Sequence, residues 1–187
     1  MIVTSDQLCE IAPLLPKRAP GRALHLAALI SKALMDHQIT SPREVARFVG
    51  QWAWESWHFT ALSETRSPQE CVGYELGRTG DRLYNVRPGD GYLYRGQGLP
   101  HLTGRGNFYG FEHWVRFNVG RDLNIMDNPE QVGTDLELAV LAGVWYWQFY
   151  DLGSIVDFGE LCKRIQGSKK HMKKRKALCD KAREVLS

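Results

Sequence analysis

The sequence predicts a mainly α protein, and three observations indicate this fold class. Apolar residues recur at helical spacing along most of the chain, strong helix-start signals precede two of these segments, and one segment is apolar around its whole circumference. The 187 residues, with 43% hydrophobic and 24% charged, have the composition of a folded globular protein. We therefore expect one domain, covering residues 1–187.

The clearest helices are predicted in the first third of the chain. One covers residues 22–35, where leucine and isoleucine side chains share a face. A second begins after Ser41, which is a typical N-cap, with Pro42 at the first helical position and Glu44 in place for a capping box. The apolar stripe of this second helix consists of Val45, Phe48, Val49 and Trp52.

Two further helices and one irregular segment complete the predicted organisation. Thr134, with Glu137 three residues later, is expected to cap a buried central helix, and a closing helix is expected from His171 to Leu186. The glycine-rich stretch 78–110 predicts no helix, only an irregular or small-β insert with short strands near 91–94 and 99–103.

Several functional classes are excluded by composition and motif. No apolar stretch approaches the 20 or so residues of a membrane span, and the first ten residues show no secretory signal. The four cysteines are widely spaced and are expected to be reduced thiols. The chain contains no HExxH motif, phosphate-binding P-loop or serine-hydrolase elbow, so we expect no metal and no cofactor.

Charge is distributed unevenly along the chain. From Lys163 onward there are ten basic residues against two acidic ones, whereas residues 1–162 hold 14 basic and 19 acidic residues. The basic C-terminal helix, residues 169–186, is either a solvated helix face or a contact for an anionic partner. Such a partner is a membrane surface, an envelope polymer or a nucleic acid.

Glu55 is the first candidate catalytic residue. The apolar stripe of the Ser41-capped helix continues to position 55, between Trp52, Trp54 and Trp57. A carboxyl enclosed by tryptophans is expected to have a raised pKa, as a general acid requires. The alternative is a glutamate at a helix end that reaches solvent or pairs with an arginine.

Glu64, nine residues further on, is the second candidate. In one continuous helix the two carboxylates would lie on opposite faces, about 13.5 Å apart along the axis. They are able to act together only if the helix ends near residues 57–59 and the chain folds back. The alternative is an inert glutamate on an exposed loop.

Three sequence features together resemble the family 19 glycoside hydrolases, in particular phage endolysins and related chitinases. These features are Ala-Trp-Glu-Ser at the helix end, the second glutamate nine residues later, and the run YRGQGLPHLTGRGNF over residues 94–108. The resemblance covers about residues 5–186. It implies a lysozyme-like single domain in which the glycine-rich insert lines the cleft.

The resemblance also implies roles for individual residues. Glu55 resembles the general acid, Glu64 the general base that activates water, and Thr103 the hydroxyl that helps to hold this water. Arg95 and Asn107 resemble residues that support the cleft or bind sugar. An inverting glycosidase needs its acid and base about 6.5–9.5 Å apart, with water between them.

The remaining candidate substrate-binding residues include positions where the sequence departs from the family pattern. Trp54 replaces a histidine, His101 replaces a glutamine and Gln166 replaces an asparagine, while Gln97 replaces the second arginine of the glycine-rich motif. Trp54 and Tyr94 are suitable walls for sugar rings.

The resemblance predicts an endolysin-like glycosidase that cleaves β-1,4 amino-sugar linkages of peptidoglycan, with chitin as the other family substrate. We expect a monomer that is made in the cytoplasm, has no nucleic-acid partner and reaches the cell wall after membrane permeabilisation. The basic C-terminal helix is then a contact for an anionic envelope surface. The alternatives are a lytic transglycosylase, which needs Glu55 alone, and a non-catalytic module that binds cell wall or nucleic acid.

Overall fold

The structure, a computed structural model, describes residues 2–75 and 77–187, and its regular secondary structure is almost entirely helical. Within these residues the only β-structure is a pair of isolated antiparallel bridges, Ser63 with Gln97 and Gln97 with Leu102. The mainly α fold class is confirmed, whereas the predicted short strands at 91–94 and 99–103 are wrong.

The described residues form two compact units, one made of residues up to Thr60 with Tyr146–Ser187, the other of Ala61–Trp145. The first unit contains α1 (Ser5–Ile11), α2 (Leu15–Arg18), α3 (Arg22–Asp36), α4 (Pro42–Glu55), α11 (Phe158–Gln166) and α12 (Met172–Leu186). The second contains α5 (Pro68–Cys71), a 3-10 helix (Val72–Tyr74), α6 (Gly77–Leu83), α7 (Asp90–Leu93), α8 (Arg105–Asn118) and α9 (Gln131–Thr134). Helix α10 (Leu136–Phe149) includes residues of both units. That residues 1–187 form a single catalytic domain stays a prediction.

In the first unit, α4 packs most extensively against α12. The two backbones approach closely at Gly50, where a Cβ atom would lie 2.6 Å from the Cα atom of Cys179. On another side of α4, the fully buried Phe48 and Trp52 make edge-to-face contacts with Trp147, at ring-centroid distances of 5.5 and 6.0 Å. Helix α4 is therefore held between α12 and the end of α10.

The start of α4 agrees only in part with its prediction. Ser41 accepts a hydrogen bond from the Glu44 backbone N–H at 3.2 Å, as an N-cap does. The Glu44 carboxylate does not complete a capping box. It accepts a hydrogen bond from the Trp147 indole N–H at 2.9 Å, because a long-range donor is available there.

The central helix α10 is buried as predicted, but its cap is one residue later than expected. Asp135, not Thr134, accepts a hydrogen bond from the Leu138 N–H, at 3.0 Å. Thr134 ends the short helix α9 instead. Within residues 2–75 and 77–187 no helix, α10 included, has the length and apolar character needed to cross a bilayer.

The glycine-rich stretch 78–110 contains most of α6, all of α7 and the start of α8, so the prediction that it is free of helix is wrong. Tertiary contacts explain this difference. Gly80 of α6 lies so close to Glu75 that a Cβ would be 2.4 Å from its carbonyl oxygen. Asp90 of α7 accepts hydrogen bonds from two backbone N–H groups and from the Arg105 guanidinium. Such contacts outweigh the weak helix propensity of glycine.

We expect Gly50→Ala to destabilise the protein by about 1–3 kcal/mol, because the new methyl group overlaps the α12 backbone. Helix propensity alone would predict a gain of about 1 kcal/mol. Urea denaturation measures the difference in free energy of unfolding. The control is Gly73→Ala, where a Cβ meets nothing within 4 Å. Equal stabilities of the two variants would contradict the close approach of α4 and α12.

Asp90→Asn should lower the free energy of unfolding by about 3 kcal/mol, because it leaves Arg105 without its buried partner. Burial by itself would raise the pKa of Asp90. The hydrogen bonds from Arg105 and from two backbone N–H groups, together with the positive charge of Arg105, outweigh burial and lower this pKa. Because the pKa of Asp90 is lower in the folded state, its ionised form stabilises the fold at pH values above 3.8, the ordinary pKa. This contribution is lost as pH falls through the folded-state pKa.

Denaturation series between pH 7 and pH 3 test this dependence. The difference in free energy of unfolding between the parent protein and Asp90→Asn should become smaller toward pH 3. A difference that stays constant with pH would argue against the lowered pKa.

Candidate active site

Glu55 is the last residue of α4 and lies beside the buried stripe that the sequence predicted for this helix. The stripe residues Val45, Phe48, Val49 and Trp52 are all buried. The side chain of Glu55 is 18% exposed, so its carboxylate is largely covered but still reached by solvent. The end of α4 thus presents one accessible carboxylate from a rigid, well-packed helix.

A buried arginine holds this carboxylate. Arg175 of α12 has a side chain only 1% exposed, and its Nη2 atom forms an ion pair with Oε1 of Glu55. The same guanidinium donates to Oε1 of Gln51 at 2.7 Å and to Oε1 of Gln166 at 2.9 Å. Charge-assisted hydrogen bonds of this kind fix the orientation of both groups.

The expected tryptophan pocket around Glu55 is wrong. Trp52 is fully buried, Trp54 is half-buried beneath Arg175, and Trp57 is 59% exposed. The alternative from the sequence, pairing of Glu55 with an arginine, is what the structure shows.

The chain leaves α4 through a sharp turn, as the separation of the two candidate glutamates required. Trp57, His58 and Phe59 all have positive φ angles, between 50° and 61°. The Ser56 hydroxyl donates to the Trp52 carbonyl at 2.5 Å and accepts from the Phe59 N–H at 3.1 Å. The predicted end of the helix near residues 57–59 is therefore confirmed.

Glu64 is held by three hydrogen-bond donors of the second unit. Its Oε1 atom accepts from the Tyr74 hydroxyl at 3.0 Å and pairs with Nε of Arg66 at 2.9 Å. Its Oε2 atom accepts from the Gly96 backbone N–H at 3.1 Å. The side chain is 16% exposed, so Glu64 is not an inert glutamate on an exposed loop.

The carboxylate of Glu64 affects the pKa of its neighbour Tyr74. Burial, the negative charge of Glu64 and the hydrogen bond to it together raise the pKa of Tyr74 to about 12. Tyr74 therefore remains a protonated donor to Glu64 at neutral pH.

Arg95 supports the backbone that carries Glu64. Its Nε donates to the Glu64 carbonyl at 3.2 Å, its Nη2 pairs with Glu130 at 2.7 Å, and its guanidinium lies 4.2 Å from the ring centroid of Tyr92. The side chain is largely buried. These contacts give Arg95 a supporting position next to the candidate base.

The isolated bridges bring the segments of Glu64 and Thr103 onto one small ladder. Residues 96–98 exchange backbone hydrogen bonds with residues 62–64 on one side and with Leu102 on the other. Gln97 in the middle is fully buried, and Gly133 lies against it. A Cβ at position 133 would be 2.1 Å from both Oε1 of Gln97 and Oγ of Ser63.

Thr103, His101 and Asn107 form a local cluster on this ladder. The Thr103 hydroxyl donates to the His101 carbonyl at 2.7 Å, and the Asn107 amide donates to the Thr103 carbonyl at 2.8 Å. Nε2 of His101 lies within hydrogen-bond distance of the Ala61 carbonyl, at 3.1 Å. All three side chains are partly exposed.

Two other candidates have internal roles. Tyr94 is only 2% exposed, packs against Phe108 and donates its hydroxyl to the Met126 carbonyl, so its proposed role as a wall for sugar is corrected to one in the core. Gln166 accepts from Arg175 and uses its amide N–H groups for backbone carbonyls of its own loop.

Arg175, Tyr74 and Arg66 are the site residues that sequence reasoning missed. Arg175 was counted only as one of the ten C-terminal cations. A signal for it was present, because Arg175 lies on the same helical stripe as the buried residues Cys179, Ala182 and Leu186. Nothing local in the sequence indicates that Tyr74 and Arg66 meet Glu64.

Comparisons with known proteins place these features in context. No family model matches the chain. A Haemophilus influenzae protein, named as a glycosyl hydrolase family 19 domain-containing protein, is 38% identical over 81 residues. The match covers 43% of this chain and 36% of that relative, so this chain spans only about a third of the relative's length.

Solved structures show the same fold. A bacterial family 19 chitinase has a TM-score of 0.72 at 17% identity, with 100% of this chain and 96% of that chain covered. Chitinase C from Streptomyces griseus has a TM-score of 0.67, and a mutant of chitinase C has a TM-score of 0.70. Each is 17% identical, and each comparison covers 99% of this chain and 92% of the chitinase chain. The lysozyme-like fold and the resemblance to the family 19 glycoside hydrolases are therefore confirmed.

Proposed function

We propose that this chain is a glycosidase that cleaves β-1,4 linkages between amino sugars in peptidoglycan or a chitin-like polysaccharide. One observation carries the proposal. Glu55 and Glu64 are each fixed by hydrogen bonds from their own unit, and each carboxylate is still partly exposed. A pair of oriented, accessible carboxyl groups is the equipment that glycoside hydrolysis requires. The likeness to family 19 proteins supports the same assignment.

Glu55 is proposed as the general acid. Arg175 fixes its position from the buried side, which leaves the exposed edge of the carboxyl for the oxygen of the scissile bond. A general acid must lie within hydrogen-bond reach of the atom that it protonates. The half-buried Trp54 next to it is proposed as a platform for a sugar ring.

Glu64 is proposed as the general base. A carboxylate offers about four lone-pair sites, and Tyr74, Arg66 and Gly96 occupy three of them. The remaining site is available for the attacking water. Thr103 is proposed to help hold this water, since its hydroxyl oxygen is able to accept a hydrogen bond while it donates to His101.

The proposed reaction is a single displacement with inversion. Glu55 gives its proton to the leaving oxygen as the glycosidic bond breaks, while Glu64 takes a proton from the water that attacks the anomeric carbon. Arg95 supports Glu64, and His101 and Asn107 are proposed to line the path of the sugar chain. Gln166 acts indirectly, by holding Arg175.

The biological role is proposed as degradation of a bacterial cell wall during host lysis by a phage. The resemblance to phage endolysins supports it. We propose that the protein is made in the cytoplasm, reaches the wall after the membrane is permeabilised and works as a monomer. The basic C-terminal helix, residues 169–186, is proposed to contact an anionic component of the envelope.

Glu55→Gln and Glu64→Gln should each reduce the rate of hydrolysis by about 10²–10⁴-fold, because each removes one proton-transfer group. Digestion of purified peptidoglycan and of chitin oligosaccharides, followed by mass spectrometry of the products, measures this loss. Reducing muramic-acid ends indicate a muramidase and reducing glucosamine ends a glucosaminidase. Glu184→Gln, at a highly exposed position, is the matched control.

The same variants separate the alternatives. Anhydro-muramic ends, with activity lost in Glu55→Gln and kept in Glu64→Gln, would mean a lytic transglycosylase. Binding to cell wall that persists in both variants, with no product from any form of the protein, would mean a non-catalytic module. Binding to nucleic acid that weakens steeply with salt would point to a nucleic-acid module.

Glu64→Gln should also lower the pKa of Tyr74 from about 12 toward its ordinary value of 10, because the neighbouring negative charge is removed. The ultraviolet absorbance of tyrosinate, with Tyr74→Phe to identify the transition, measures this pKa. The raised folded-state pKa adds stability that is complete below about pH 10 and is lost as pH rises through about 12. An unchanged Tyr74 titration in Glu64→Gln would mean that the two groups are not adjacent.

A further inference from the structure

A group of unpaired cations lies around the start of α12. Lys163 and Arg164 near the end of α11, and Lys170, Lys173 and Lys174 on the next turn of chain, are all exposed. None of these five, here called the basic segment, forms an ion pair with any residue that the structure describes. These five side chains therefore have no direct carboxylate partner within the described residues.

The other half of α12 provides an internal contrast. There Lys176 pairs with Asp180 at 2.6 Å and Lys181 pairs with Glu10 at 2.6 Å. Lys173 and Lys174 lie at the amino-terminal end of the helix, where the helix dipole disfavours cations. Stability of the fold does not explain their position, and such local conflicts are expected where a residue serves function.

The basic segment is joined to the candidate acid by direct contacts. The amide of Gln166 donates to the Lys170 carbonyl, and its oxygen accepts from Arg175, which holds Glu55. One hydrogen-bonded chain therefore connects the loop that carries Lys170 to the carboxyl of Glu55.

An aromatic contact joins the same two places. The ring of His171, between the lysines of the segment, lies 5.6 Å from the ring of Trp54. Trp54 is the residue before Glu55 and the proposed sugar platform. The loop that carries Lys170 and His171 is therefore in contact with the residue that precedes Glu55.

We propose that the basic segment binds the peptide carboxylates of a peptidoglycan strand whose sugars lie at Glu55. Peptidoglycan carries peptide carboxylates along its sugar strand, whereas chitin is uncharged. This inference rests on the proposed function and identifies the anionic envelope component as the substrate itself. Complementary charge raises the local substrate concentration and the association rate by roughly 10–10³-fold, and salt screens the effect.

The test compares two substrates that differ only in charge. One is native peptidoglycan, and the other is the same material with its carboxylates converted to amides. The variant combines Lys170→Gln, Lys173→Gln and Lys174→Gln. The control combines Lys17→Gln, Arg18→Gln and Arg43→Gln, three exposed cations outside the basic segment, and changes the net charge equally.

At low ionic strength the parent protein should have a higher kcat/KM on native than on amidated peptidoglycan. This ratio should fall about tenfold in the basic-segment variant and stay constant in the control. The difference should disappear near 1 M salt, where the Debye length is about 3 Å. A ratio that is equal in the parent and both variants would overturn the proposal.

Two further outcomes are distinguishable. Loss of binding to phosphatidylglycerol vesicles in the basic-segment variant, with an unchanged substrate ratio, would mean that the segment serves a membrane and that the proposal is wrong. If the parent protein yields no product from either substrate, the proposed function fails. The role of the basic segment is then tested by measuring how much protein sediments with native and with amidated peptidoglycan. Equal binding to the two materials would overturn this role, and a tenfold preference for native material would support it.

Discussion

The ion pair between Arg175 and Glu55 imposes the strictest requirement on the first unit. A guanidinium almost fully withdrawn from water costs several kcal/mol unless hydrogen bonds and an opposite charge compensate. Glu55 and Gln51 of α4 and Gln166 of α11 provide this compensation at the two Nη atoms. Helices α4 and α12 must therefore meet in a single register, and Gly50 permits the close approach that this register needs. The interaction that orients the candidate acid also specifies how its helix packs.

Features with a local physical cause were predictable from the sequence. The apolar residues of α4 have a spacing that only an α-helix satisfies, and this spacing places Glu55 beside the buried stripe. The start of the helix follows from Ser41, a typical N-cap residue. The end of that helix was expected only on the condition that Glu55 and Glu64 act together, since a continuous helix would place them on opposite faces. The resemblance to family 19 then connected Glu55 with Glu64, a link that periodicity alone does not provide.

Features that depend on distant partners were not predictable in the same way. The Glu44 carboxylate accepts a hydrogen bond from Trp147 and not from the backbone at its own N-cap. Asp90 pairs with Arg105, fifteen residues later, and this pair stabilises the glycine-rich segment. The tryptophans near Glu55 suggested an apolar pocket because the sequence does not show which cation approaches from α12. In these three cases a polar group has a partner that is not near it in the sequence.

The turn after Glu55 stores backbone strain. Trp57, His58 and Phe59 all adopt left-handed backbone angles, which cost about 1–2 kcal/mol for each residue that is not glycine. Glycine at the exposed position 57 would remove the steric penalty there. Three bulky side chains there restrict the chain between Glu55 and Glu64 far more than glycine would. The turn therefore holds backbone strain that glycine would remove, and in return its bulky side chains limit the directions in which the chain leaves Glu55.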